Sequence, residues 1–321
     1  MSKTFVFAGD TAIGSVLAEN LVQAGYSAAP DIAAADVIFT FCTTQTDLED
    51  VYFDTEGLIQ AAQAGTYLVD FSATTPGFAR ELNAVALVSD LHIIEAPLVV
   101  KDITLENTYT DPSNLISYVA SEEDNFDEVM PMLRALAGTV ELTGMPGSAQ
   151  LARAALTLNT ASQIVSVMEA DALYRVSGSQ SASVFRSARE QGFITENAAR
   201  LYAAVVEKRF RGAYSVRICM AELSAALMAA DDSDLILPSA EAALHLLELL
   251  AVIGGSDMAL SGLSLVYGEE SACAEHGLDW TRAEQTYGDM DLCDDDDCDC
   301  DGHHHHHDDE FPGGFGGYSA N

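Results

Sequence analysis

Through the first half of the chain, short unbroken apolar runs alternate with stretches in which apolar residues recur every three or four positions. Phe5–Ala8, Val37–Phe41, Tyr67–Phe71, Leu91–Glu95 and Leu115–Val119 are of the first kind, and Gly14–Ala24, Leu58–Ala64, Gly77–Val88 and Asn125–Leu136 of the second. Unbroken apolar runs suit strands buried on both faces, with the intervening helices as their cover. The pattern therefore predicts an α/β domain with a doubly wound parallel sheet over residues 1–146. From Ser148 to Val176 helical spacing continues with no glycine or proline, enough for one helix of roughly 44 Å at about 1.5 Å per residue. Further helical patterns follow at Ser181–Glu190, Thr195–Phe210, Ser215–Ala230, Ser239–Ile253 and Ser256–Tyr267. An all-helical second domain over 147–288, joined through the long helix, is the economical reading.

The turn after the first strand carries the first chemical signal. It reads Gly9-Asp10-Thr11-Ala12-Ile13-Gly14 and leads into an amphipathic helix that stops at Gly25. A strand, a glycine turn and a helix in this order set free backbone N–H groups and the positive end of the helix dipole against a dinucleotide pyrophosphate. The expected fingerprint is G-x-G-x-x-G, and Thr11 stands where the middle glycine lets backbone approach the phosphates. Only ten residues, Tyr26 to Ala35, separate Gly25 from the next strand pattern, which opens at Asp36. That is too short for a full second strand and helix, so the adenosine half of such a site is truncated. Asp31, the one charged side chain in the segment, leans the site toward NAD over NADP, because an acid favours a free ribose hydroxyl.

The formal charge of −36 with only three lysines argues against a nucleic-acid groove or an anionic membrane as partner. No apolar leader follows Met1-Ser2-Lys3-Thr4, and His245 and Glu248 interrupt the apolar run Ala242–Ile253. The chain reads as cytoplasmic, acting on a small molecule. Residues 289–321 form an acidic tail that holds half of the six cysteines and has too little apolar surface to order itself. Cys298 and Cys300 with His303, His304, His305, His306 and His307 offer thiolate and imidazole donors suited to Zn or Ni, without the paired spacing of a folded zinc site.

Several separated segments together resemble the β-hydroxyacid dehydrogenases, the 3-hydroxyisobutyrate dehydrogenase-like group related to the imine reductases and to the N-terminal domain of 6-phosphogluconate dehydrogenase. They are the Gly9–Gly14 turn with Ala24-Gly25-Tyr26, Val69-Asp70-Phe71-Ser72-Ala73-Thr74-Thr75-Pro76, Glu95-Ala96-Pro97, Gly147-Ser148-Ala149-Gln150, and Gly254-Gly255-Ser256-Asp257 with Leu260. The resemblance spans about Lys3 to Glu270. It implies a Rossmann-type domain that binds NAD or NADP through Gly9, Thr11, Ala12, Ile13, Gly14, Phe41, Cys42, Thr43, Ser72 and Ala73. It also implies substrate contacts from Ser72, Val99, Val100, Gln150 and Thr157, and a homodimer built on the helical domain. Hydride would pass between the nicotinamide and a small carbonyl, hydroxy-acid or imine substrate at the interdomain cleft.

The departures fall on functional positions. The resemblance aligns the family's proton-donating lysine with Arg153, and a guanidinium is a poor acid at neutral pH. Its substrate-binding serine and glycines are replaced by Leu98-Val99-Val100, and a second family lysine by Ala221. Two classes follow from this sequence: an NAD(P)-dependent oxidoreductase with Arg153 at its catalytic position, and a catalytically silent descendant that binds a nucleotide or other ligand. A metal-handling role for the tail is a third.

Overall fold

The computed structural model describes residues 3–179 and 182–287. Its sheet contains β1 (Thr4–Gly9), β2 (Ser27–Ala28), β3 (Val37–Phe41), β4 (Tyr67–Asp70), β5 (His92–Glu95), β6 (Leu98–Val100), β7 (Leu115–Ala120) and β8 (Thr139–Gly144). The order is β2-β1-β3-β4-β5-β7-β6, with β8 also on β7. The first five strands are parallel, as the apolar runs predict. The all-parallel expectation fails at β7, which runs antiparallel to β5 and β6 and parallel to β8. Glu95 pairs with Ala120 and Leu98 with Ser117, so β5 and β6 are two pieces in one register along β7. Pro97 lies at the break, and it has no N–H to give the ladder.

At the centre, Phe39 stacks on Phe7 with 5.0 Å between ring centroids and on Phe71 at 5.4 Å, tying β1, β3 and β4 through one face. The helix at Thr11–Gln23 follows β1, and buried Leu17 and Leu21 face the sheet one turn apart. The shortened segment after it holds the two-residue β2 and a single 3₁₀ turn, Ile32–Ala34.

The long helix spans Ser148–Val176, 29 residues, as its uninterrupted periodicity requires. Its N-terminus is fixed by the sheet: the Glu95 carboxylate, at the end of β5, accepts from the Gly147 and Gln150 N–H groups, each at 2.5 Å. A carboxylate there satisfies orphan N–H groups and complements the dipole. Farther along, the long helix packs against the helices Glu196–Val206, Val216–Asp231 and Pro238–Leu250. The predicted helix from Ser256 does not form as drawn. Arg217 N–H donates to the Ser256 carbonyl and Val216 N–H to the Met258 carbonyl, so residues 256–258 form a turn and bend and Ala259 bridges to Ser215 before a short 3₁₀ segment, Leu260–Leu265.

Candidate active-site cleft

The glycine turn has the backbone geometry of a dinucleotide site. Gly9 has φ 95°, and a Cβ there would lie 2.2 Å from the Phe41 carbonyl oxygen, so only glycine fits. Gly14 lets the helix close on β1, where an added Cβ would sit 3.3 Å from Phe7 Cβ. Thr11 and Ala12 are exposed at the helix start, while Ile13 and Gly14 are buried beneath them. The residue that decides the chemistry lies between Gly9 and Thr11. Asp10 is the N-cap, and its Oδ1 accepts from the Ala12 N–H at 2.9 Å and the Ile13 N–H at 3.2 Å. The helix N-terminus is thus taken by the chain's own carboxylate. Aspartate just before a helical pattern is a strong capping signal, legible in the sequence but overshadowed there by Thr11.

On the adenosine side, a cavity of about 290 Å³ runs from Gly9, Thr11 and Ser15 to Ala28 and Ala29. Asp31 is exposed and has a local structural role. Its carboxylate caps the 3₁₀ turn, accepting from Ala34 N–H at 2.9 Å. The lean toward NAD drawn from Asp31 therefore loses its basis.

The carboxyl ends of β3 and β4 form a locked bracket. Ser72 is fully buried, its Oγ accepts from Cys42 N–H at 2.9 Å, and both its N–H and hydroxyl donate to Asp70. Gln150 reaches across from the long helix, donating to the Ser72 carbonyl at 2.9 Å and accepting from Thr74 N–H at 3.2 Å. The helix that Pro76 begins is capped by Thr75. Burial, with Asp70 nearby, pushes the Cys42 thiol up to about 12, which excludes a thiolate nucleophile. Phe41 is likewise buried, its ring edge-on to Tyr109 at 6.0 Å. Of this group, Thr43 and Ala73 face a cavity.

Arg153 is buried and fully engaged. It forms an ion pair with Glu222, and its Nε donates to the Leu98 carbonyl at 3.4 Å. Glu222 also accepts from the Tyr214 hydroxyl at 2.5 Å and is hydrogen-bonded by Thr157. Burial raises the Glu222 carboxyl above its usual range, while Arg153, Tyr214 and Thr157 pull it back. Val99 and Val100, read from sequence as substrate contacts, are ladder residues opposite Ile116 and Leu115. Tyr109, which sequence reasoning missed, is buried close enough to Glu222, Arg153 and Asp10 for all three to act on its phenol.

Two cavities open where the sheet meets the helix Val216–Asp231. One, about 310 Å³, is bounded by Thr43, Ala73, Arg217, Met220, Ala221 and Met228, among others. Its neighbour, about 320 Å³, extends from Asp10 and Ile13 past Tyr109 to Arg217 and Asp257. Arg217 borders both. It is half-exposed, 3.6 Å from Asp257 and 3.5 Å from the Thr43 hydroxyl.

A dinucleotide fits this groove in outline. Space lies on both sides of Asp10. The condition is that the Asp10 side chain, held by two N–H bonds, turns away from the pyrophosphate seat. No group of three or more potential metal ligands exists among the described residues, and Cys298, Cys300 and His303–His307 lie outside them.

Fold and cleft together define a two-domain oxidoreductase of the dinucleotide-binding class. The family model for the NAD binding domain of 6-phosphogluconate dehydrogenase matches residues 5–144. An uncharacterized oxidoreductase, YkwC, of Bacillus subtilis is 26% identical over 73% of this chain and 78% of that protein. The 2-hydroxy-3-oxopropionate reductase of Escherichia coli is 26% identical over 72% and 77%. The crystal structure of a 3-hydroxyisobutyrate dehydrogenase from Salmonella typhimurium, 16% identical, superposes with a TM-score of 0.70 over 82% of this chain and 99% of that one. The match over residues 5–144 and these relatives support an NAD(P)-dependent oxidoreductase similar to the β-hydroxyacid dehydrogenases.

Proposed function

We propose that the protein reduces a carbon–nitrogen double bond in the cleft between the sheet and the helix Val216–Asp231. The nicotinamide cofactor, when bound, supplies the hydride. One observation carries the choice of substrate. Among the described residues bounding the 310 Å³ cavity there is no Lys, His, Tyr, Asp or Glu, and the guanidinium of Arg217 is not an acid at neutral pH. Hydride addition to a carbonyl leaves an alkoxide that needs a proton in the same step, usually from a positioned side chain. Addition to an iminium carbon leaves a neutral amine and needs none. Arg153 does not fill the gap, because a guanidinium is too basic to donate a proton at neutral pH.

The chain's own residues hold and shape the site. Gly9 and the N-terminus of the helix Thr11–Gln23 receive the pyrophosphate once Asp10 turns out; Thr43 and Ala73 border the reacting end. Ala28 and Ala29 bring neither acid nor base to the ribose, which supports use of both NAD and NADP. Exposed Leu173, Val176 and Phe193 on the helical half support self-association as a homodimer.

The test follows oxidation of NADH and NADPH with 2-methyl-1-pyrroline and with a branched aldehyde of similar size. Imine turnover at least a hundredfold above aldehyde turnover is expected, and faster aldehyde reduction overturns the assignment. A second reading, ligand binding without turnover, is favoured by the Asp10 carboxylate in the pyrophosphate seat. Cofactor binding with no turnover on any imine or carbonyl would select it.

A further inference from the structure

Resting on the reading of this cleft as the active site, we infer that Arg217 anchors a substrate carboxylate, with the apolar body of the acid in the 310 Å³ cavity. Three observations lead there. First, the segment after Ala96-Pro97, where the family resemblance puts the substrate-binding serine and glycines, is here the strand β6, laddered to β7. Its side chains offer no hydroxyl to a carboxylate.

Second, the two arginines at the cleft differ in availability. Arg153 is buried, paired with Glu222 and bonded to the Leu98 carbonyl. Arg217 is half-exposed, and its contacts to Asp257 and Thr43 lie at 3.6 and 3.5 Å, near the limit of such interactions. It can exchange both for a bidentate pair with a carboxylate. Its helix position is also apt. Arg217 precedes Ala221 by four residues, so the two share a face, and the small Ala221 side chain leaves room where the family resemblance expects a lysine. The cleft's cation has moved one turn toward the helix start.

Third, charge selects one cavity over the other. The 320 Å³ space presents the carboxylates of Asp10 and Asp257 and repels an anion. The described residues bounding the 310 Å³ space include no acid, and Arg217 is the one cation. Met220, Ala225, Met228 and Ala251 supply apolar surface for the rest of the molecule. An acid with a short apolar body fits this division.

The full-length protein carrying ¹³C-methyl methionine places two reporters, Met220 and Met228, in the cavity wall. Titration with pentanoate is expected to shift both methyl resonances saturably, with pentanamide, equal in shape but neutral, at least tenfold weaker. Arg217→Gln is expected to remove that preference and Arg217→Lys to keep part of it. Equal affinity of the wild-type protein for pentanoate and pentanamide, or no response to either, overturns the assignment even if Arg217→Gln does not fold. A preference that persists in folded Arg217→Gln overturns it as well. NADH fluorescence in the same samples separates failure of the anchor from failure of the cleft: cofactor binding with no pentanoate preference removes the anchor alone.

Discussion

Arg153 on the long helix and Glu222 on the helix Val216–Asp231 form an ion pair, with both side chains about nine-tenths buried or more. Such a pair adds little net stability against an apolar replacement, but loss of one partner strands the other charge. Glu222→Ala is therefore expected to cost about 3 to 5 kcal/mol. Arg153→Met with Glu222→Leu is expected to recover most of that loss in urea unfolding. A double variant as unstable as Glu222→Ala would show that the pair is not the source of the cost.

The same pair explains why Arg153 holds a lysine position without its chemistry. In Arg153→Lys an ammonium replaces a guanidinium too basic to donate a proton. Positioned acids are worth about 10² to 10⁴ in rate. The variant is expected to raise aldehyde reduction at least tenfold while imine reduction stays within about threefold, the upper part of that acid term being limited by burial. Equal gains on both substrates would contradict the proton argument.

Asp10 sets a second, independent handle. Its carboxylate and a pyrophosphate compete for the Ala12 and Ile13 N–H groups. Asp10→Asn keeps a capping oxygen and removes the charge; it is expected to tighten NADH binding about tenfold or more, a factor worth roughly 1.4 kcal/mol. Unchanged affinity in calorimetry would show that Asp10 does not occupy the phosphate seat.

Asp70 makes stability depend on pH. Burial raises its carboxyl from the usual 3.8 to about 7, against hydrogen bonds from Ser72. Between those values the folded protein keeps a proton that the unfolded chain has released, so stability falls as pH rises through the window and levels off above 7. The shift corresponds to a contribution on the order of 4 kcal/mol. Asp70→Asn is expected to flatten that fall when urea unfolding is compared at pH 4.5 and pH 8. The wild-type slope persisting in the variant would assign it to other groups.

The strand and helix periods made most of the fold legible, including the long helix to its terminal residues, Ser148 and Val176. The reversed β7 was not legible, because direction in a sheet comes from pairing and leaves little trace in an apolar run such as Leu115–Val119. In the cleft, the turn at Gly9 and Gly14 could be read from residue type, since glycine records a backbone requirement. What Ser72 and Gln150 bond to was not legible: their polar groups answer each other and the backbone inside the bracket, at 2.9 Å between Gln150 Nε2 and the Ser72 carbonyl. Arg217 was invisible because its place at the border of two cavities depends on packing between distant segments.

A nicotinamide dinucleotide is the redox partner this cleft is read to take. Titration of the purified full-length protein with NADH and NADPH, read by nicotinamide fluorescence and calorimetry, tests it most directly. Saturable binding of both below about 1 mM, the upper range of ordinary cofactor and substrate affinities, is the expected result. Absence of binding of either at millimolar concentration, in a protein shown to be folded, would contradict the account.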